Sequence, residues 1–151
     1  DTANPHVIHL VDFLFENVSR WTPMAKPEAI EYEKVVLHDG CRTGRQCGLD
    51  DPTRAVVTAA LGRAPSEMWL RREEALCCGA GDHYPEVSPA GAGNAARHVT
   101  CAAQDQEAQL LITASPMCAM HMRASMSSGD GRHLEVMDLA RFVAVSLGVS
   151  I

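Results

Sequence analysis

The sequence has no apolar run long enough to span a bilayer, which argues against a chain built around a membrane helix. It has no basic surplus either: Lys and Arg number 13 against 19 Asp and Glu, for a net charge of −6. Nucleic-acid binding needs a basic face to meet phosphates, and docking on an anionic membrane needs one as well, so neither is expected. A basic start followed by an apolar block is missing from the first residues, so no secretory signal is expected. Internal repeats, low-complexity segments and a convincing internal boundary are also missing. No Ser–His–acid order and no paired-carboxylate signature support a plain hydrolase. The chain opens on Asp1, as a trimmed, processed or internal piece of a longer protein would.

What is present is an ordinary globular composition. The 151 residues are 46% hydrophobic and 21% charged, enough for one domain with a real core. Six cysteines stand out. Cys77 and Cys78 are adjacent, and a disulfide between neighbours is strained. Without a secretion signal, metal or redox chemistry is favoured over a disulfide framework.

Helix and strand signals alternate. Asn4 and Pro5 suit a cap and first helical residue, and Val7, Val11, Leu14 and Val18 follow at helical spacing. Trp21 to Pro27 reads as a linker. Lys34 to His38 is a β-branched run ending at the Asp39-Gly40 turn. A second helix is expected from Asp51-Pro52 to Gly62. Met68-Trp69-Leu70 reads as a strand, 93–107 as a helix, and Leu110 to Thr113 as a third strand. A helix near 118–126, a strand at 134–136 and a helix at 138–147 complete the pattern. The fold class is therefore α/β: a mainly parallel, Rossmann-like sheet flanked by helices.

In such a sheet the loops after the strands emerge on one edge, where ligands bind. Cys41 follows the first strand, Cys77 and Cys78 the second, and Cys118 the third. Cysteine loops thus meet at the C-terminal edge of the strands. Four thiolates suit zinc or an iron–sulfur cluster. Adjacent cysteines fit a tetrahedral zinc site poorly, whereas they can reach different irons of a cluster. Buried inert thiols and a metal-free redox pair are the plainer alternatives. Cys101, among alanines, reads as core packing. Cys47 reads as a loop thiol, with a fifth-ligand role as the sharper alternative. His38 and Asp39 suit either a structural turn or hydrogen bonds to a metal centre. His83 and His121 read as surface residues. Met117, Met120, Met122 and Met126 cluster after the third strand; Met120 and Met126 read as core, with a soft apolar lining beside a cluster or a docking surface as the alternative. Gly79-Ala80-Gly81 and Gly91-Ala92-Gly93 match no Walker or dinucleotide fingerprint and read as tight turns beside the site.

Three segments carry a resemblance. His38-Asp39-Gly40-Cys41-Arg42-Thr43-Gly44-Arg45 is similar to an H-D-P-C-H-x-G-R block. Cys77-Cys78-Gly79-Ala80-Gly81 is similar to a C-C-G signature, and Thr113 to Cys118 to a T-A-C-P-x-C block. In order and spacing they resemble the cysteine-rich, or CCG, domain found in the B and D subunits of heterodisulfide reductases. The same domain occurs in the iron–sulfur subunits of glycolate and lactate oxidation systems.

The resemblance implies an iron–sulfur electron-transfer domain with Cys41, Cys77, Cys78 and Cys118 as ligands. Ser115 stands where the five-cysteine pattern has a further cysteine, and a hydroxyl is a hard, poor ligand for such a cluster. The remaining set therefore implies an ordinary 4Fe-4S cluster, with zinc as the alternative. Arg42 replaces the usual histidine and adds positive charge beside the site. Ser115, His38, Arg42, Gly79 and Cys47 are the expected surrounding residues. The resemblance further implies one domain over 1–151, the C-terminal half of a two-domain unit. Its implied partners are flavoprotein or iron–sulfur subunits in a complex, with no nucleic acid. The implied location is cytoplasmic, with any membrane association made through those partners.

Overall fold

A computed structural model describes residues 7–126 and 133–149. Its sheet has four parallel strands, β1 (Val35–His38), β2 (Ser66–Glu67), β3 (Leu110–Thr113) and β4 (Glu135–Asp138), in the order β2-β1-β3-β4. The helices are α1 (Leu10–Glu16), α2 (Val18–Trp21), α3 (Asp50–Leu61), α4 (Tyr84–Val87), α5 (Pro89–Gln104), α6 (Pro116–Ser125) and α7 (Leu139–Ser146). This is the α/β, Rossmann-like architecture that the alternating pattern implies.

The two central strands, VVLH and LLIT, are buried at every position. Such unbroken apolar runs mark parallel strands covered on both faces. Val35, Leu37, Leu110 and Ile112 face a core completed by α1, α3 and α7, with Val56, Val57, Leu139 and Phe142 fully buried. Val36, Leu111 and Val136 face the opposite core, against Ala96, Val99 and Ala103 of α5 and Ala119 and Met122 of α6. Cys78 and Cys118 belong to this second core. The register sets His38 opposite Thr113, and Thr113 opposite Asp138. The three strands therefore finish level, and the loops beyond them start from one line.

Local chemistry explains most boundaries. Gly62, at φ +72°, ends α3 in the left-handed conformation. Asp138 caps α7, its carboxylate accepting from the Arg141 N–H at 3.1 Å. The first helix starts at Leu10, where His9 Nδ1 accepts the Val11 N–H. Asn4 and Pro5, the expected cap, lie outside the described residues. The expected linker folds as two 3-10 turns, Thr22–Met24 and Pro27–Ala29.

Two expectations need correction. The strand expected at Met68 to Leu70 lies at Ser66–Glu67 instead. Met68 turns into the core, while Trp69 is 85% exposed; an edge strand this short leaves no periodicity to read. Gly91-Ala92-Gly93 is not a tight turn but part of the opening of α5, which starts at Pro89. Proline at that position is pre-set for the helix. A side chain at Gly91 would run into the Tyr84 hydroxyl, so this glycine serves the packing of α4 on α5.

Candidate metal centre

Cys41 stands three residues beyond β1, at the head of a π-helical turn, Arg42–Gln46. The approach is rigid because Asp39 is buried and clamped. Arg54 donates to both its oxygens, at 2.9 and 2.8 Å, and the Arg72 N–H donates at 2.6 Å. Burial pushes the Asp39 carboxyl up, but these donors outweigh it and hold the group below the usual carboxylate range.

Cys77 and Cys78 follow the 3-10 turn Arg72–Glu74. Cys77 is exposed, and Cys78 is only 2% exposed. Gly79 then turns the chain at φ +76°, a conformation that favours glycine. A Cβ there would also press on the Ala92 carbonyl and the Ala95 methyl. The turn aims backbone donors at sulfur: the Gly79 N–H donates to Cys77 Sγ at 3.4 Å, and the Ala80 N–H to Cys78.

Cys118 lies in the first turn of α6. Ser115 caps that helix, its hydroxyl accepting from the Cys118 N–H at 3.3 Å. A helix N-terminus favours a thiolate.

The four thiols come together in one cleft of about 540 Å³, which Gly79, Ser115 and Arg42 also line. Cys41 interacts with Cys77, and Cys78 with Cys118. The neighbouring Cys78 thiol, aided by Ser115 and the helix N–H, holds the Cys118 thiol below the usual thiol range against the opposing effect of burial. Cys78 is correspondingly pushed up, with burial adding to the effect. Burial, followed by the neighbouring Cys77, raises Cys41. All six cysteines are free thiols. Four converging, partly buried thiols with backbone donors beside them make a soft donor set that fits a thiophilic metal group. Among the described residues, no three His, Cys, Asp or Glu side chains close on a single-ion geometry; the thiols border a wider space.

Other sequence candidates fall elsewhere. Cys47 is exposed at the end of the π turn, away from the cleft. Buried His38 also lies off the cleft, with Nδ1 against the Thr113 hydroxyl and Nε2 against the Leu76 carbonyl. Burial lowers its pKa, and it serves the fold as a neutral imidazole. Arg42 is exposed at the mouth and ion-pairs with Asp82. Cys101 is exposed rather than core: α5 buries Ala92, Ala96, Val99, Thr100 and Ala103, and the helical period turns position 101 outward. For the same reason Met122 is core while Met120 is 53% exposed. Met126 packs partly against the core. His83 is exposed and pairs with Glu86; His121 is half-buried, beside the Ala92 carbonyl. Met117, one of the clustered methionines, lines the cleft, as do Asp82 and Tyr84, which no spacing signal singles out.

The family model for the cysteine-rich domain, CCG, matches residues 35–123. Over 96% of its length the chain is 31% identical to the D subunit of the dihydromethanophenazine:CoB–CoM heterodisulfide reductase of Methanosarcina acetivorans, covering 35% of that protein. It is 38% identical to the probable iron-sulfur-binding oxidoreductase FadF of Bacillus subtilis, over 37% of this chain and 8% of that one. A probable membrane-anchored ferredoxin of Chromohalobacter salexigens is 26% identical over 83% of the chain, which covers 18% of it. The chain thus spans about a third of the length of the reductase subunits it matches. With the signature cysteines on one cleft and the family match running from β1 into α6, the chain belongs to the cysteine-rich (CCG) domain family.

Proposed function

We propose that this chain is an iron–sulfur electron-transfer domain of a heterodisulfide-reductase-like oxidoreductase complex, with Cys41, Cys77, Cys78 and Cys118 holding the cluster. The observation that carries the reading is the convergence of these four thiols, from three separate loops, on one cleft. The similarity to one heterodisulfide reductase component and to an iron-sulfur-binding oxidoreductase supports it. When bound, the cluster would supply one-electron transfer between a donor and an acceptor.

The chain's own residues would shape that chemistry. Backbone N–H groups at Gly79 and Ala80 already point at sulfur, and such bonds stabilise added negative charge. Arg42 places a guanidinium at the mouth, ion-paired there with Asp82. Ser115 caps α6 rather than offering a fifth thiolate, which favours a four-iron cluster on four cysteines. Flavoprotein or iron–sulfur subunits are the fitting partners, and a second such domain is the fitting complement to a chain that matches a third of its relatives. No helix among the described residues is long and apolar enough to cross a membrane, and a cytoplasmic site is the reading consistent with free thiols.

The test is replacement of single cysteines. Cys77→Ala and Cys118→Ala should each lose most of the iron and sulfide taken up on reconstitution, and should no longer accept electrons from a reduced partner. Cys101→Ala, on the outer face of α5, should retain both. Unchanged cofactor content in Cys77→Ala and Cys118→Ala would refute the assignment.

A further inference from the structure

Two side chains that do not line the cleft hold the backbone just ahead of Cys77. Arg45 Nη1 donates to the Glu73 carbonyl at 3.1 Å and to the Ala75 carbonyl at 2.7 Å. His38 Nε2 lies 2.9 Å from the Leu76 carbonyl. A carbonyl only accepts, so Nε2 carries the proton. The unprotonated Nδ1 then accepts from the Thr113 hydroxyl at 3.2 Å. Consecutive carbonyls, 75 and 76, are thus tied from two directions to the segment that carries Cys41: Arg45 lies in the turn after it, and His38 ends the strand before it.

The segment needs such ties. Residues 75–78 belong to no helix or strand, yet they deliver Cys77 and Cys78 to the cleft that Cys41 and Cys118 line. The charged donor of Arg45 makes its bonds stronger than neutral ones, and the His38 bond is part-buried, its imidazole only 2% exposed, so losing the carbonyl would strand a buried N–H.

We propose that Arg45 and His38 are positioning residues, a two-point clamp that sets Cys77 and Cys78 against Cys41 and Cys118. The clamp deepens, and rests on, the reading of the cleft as a cluster site. Its mechanical content, though, can be tested without the cluster.

The experiment is site-resolved alkylation of the metal-free, reduced protein with limiting iodoacetamide, followed by mass spectrometry. Cys78 and Cys118 are both buried, at 2% and 8% exposure, but only Cys78 stands on the clamped segment. Global unfolding exposes both together, whereas release of the clamp exposes Cys78 first. Arg45→Gln should raise the Cys78-to-Cys118 labelling ratio about tenfold, the mark of a local opening easier than global unfolding. Thr113→Val, which removes the donor to His38, should raise it in the same direction and serves if Arg45→Gln does not fold. Arg63→Gln is the control. Arg63 makes an equivalent pair of bonds, to the Tyr32 and Glu33 carbonyls at 2.8 Å, ahead of β1 and away from the cleft, so its ratio should stay at the wild-type value. After reconstitution, chelator-driven bleaching should be faster in Arg45→Gln than in wild type. A wild-type ratio in both Arg45→Gln and Thr113→Val, or an equal rise in Arg63→Gln, overturns the clamp. If wild type takes up no iron or sulfide, the cluster reading falls, while the labelling ratio still decides the clamp.

Discussion

Asp39 is a buried carboxylate that stays charged because Arg54 meets it with two hydrogen bonds and the Arg72 N–H adds a third. Removing one partner of such a pair leaves an uncompensated buried charge. Arg54→Met should therefore lower the stability of the metal-free protein by about 3 kcal/mol near neutral pH, read by urea unfolding. A carboxyl held below its usual range stabilises the fold above the unfolded-state value, and that contribution is lost as pH falls through the folded value. Wild-type stability should accordingly drop below about pH 4, and Arg54→Met should lose that fall. Asp50, pushed up by burial and by Asp39, contributes with the opposite sign, so the difference between the two proteins is the informative quantity. At this scale the cysteines are legible in the sequence because their spacing and the family motifs carry them. The tasks of Arg45 and His38 are not, since both are defined by carbonyls about 30 to 40 positions away in the chain. Cys101 is misread as core because the alanines around it show no amphipathic contrast that would reveal its face.

The loop between β2 and α4 depends on Gly79 in two ways, through its conformation and through its approach to α5. Gly48 offers a clean comparison: its φ is also positive, at +66°, but a Cβ there meets nothing within 4 Å. Gly48→Ala should cost about 1 kcal/mol, the left-handed backbone penalty alone. Gly79→Ala adds contact with Ala92 and Ala95 and should cost roughly 2 to 3 kcal/mol. Parallel denaturation curves check this; equal losses would mean that α5 gives way without cost. Element by element, β1 and β3 are legible as unbroken apolar runs, and α3 by its closing glycine. The second strand is read too late in the chain because Ser66–Glu67 carries no apolar signal, and its pairing is set by β1 alone. The start of α5 is hidden by glycines that read as loop but pack against Tyr84.

For the molecule as a whole, the parallel sheet does the organising. Two central strands ending in register set the loops of Cys41 and Cys118 on one edge, and the segment beyond β2 returns Cys77 and Cys78 to the same cleft. This convergence is legible from the order of strands and cysteines alone. The placement of exposed Cys77 beside buried Cys78 in that cleft is not, because it depends on the Gly79 turn. An iron–sulfur cluster held at this edge is tested most directly by elemental analysis. Iron, acid-labile sulfide and zinc should be measured together on anaerobically purified protein, with a visible spectrum of the same sample. Near-stoichiometric iron and sulfide, with broad absorption that bleaches on reduction, is the predicted result. Zinc alone in a colourless protein that also fails to take up iron and sulfide on reconstitution would contradict it.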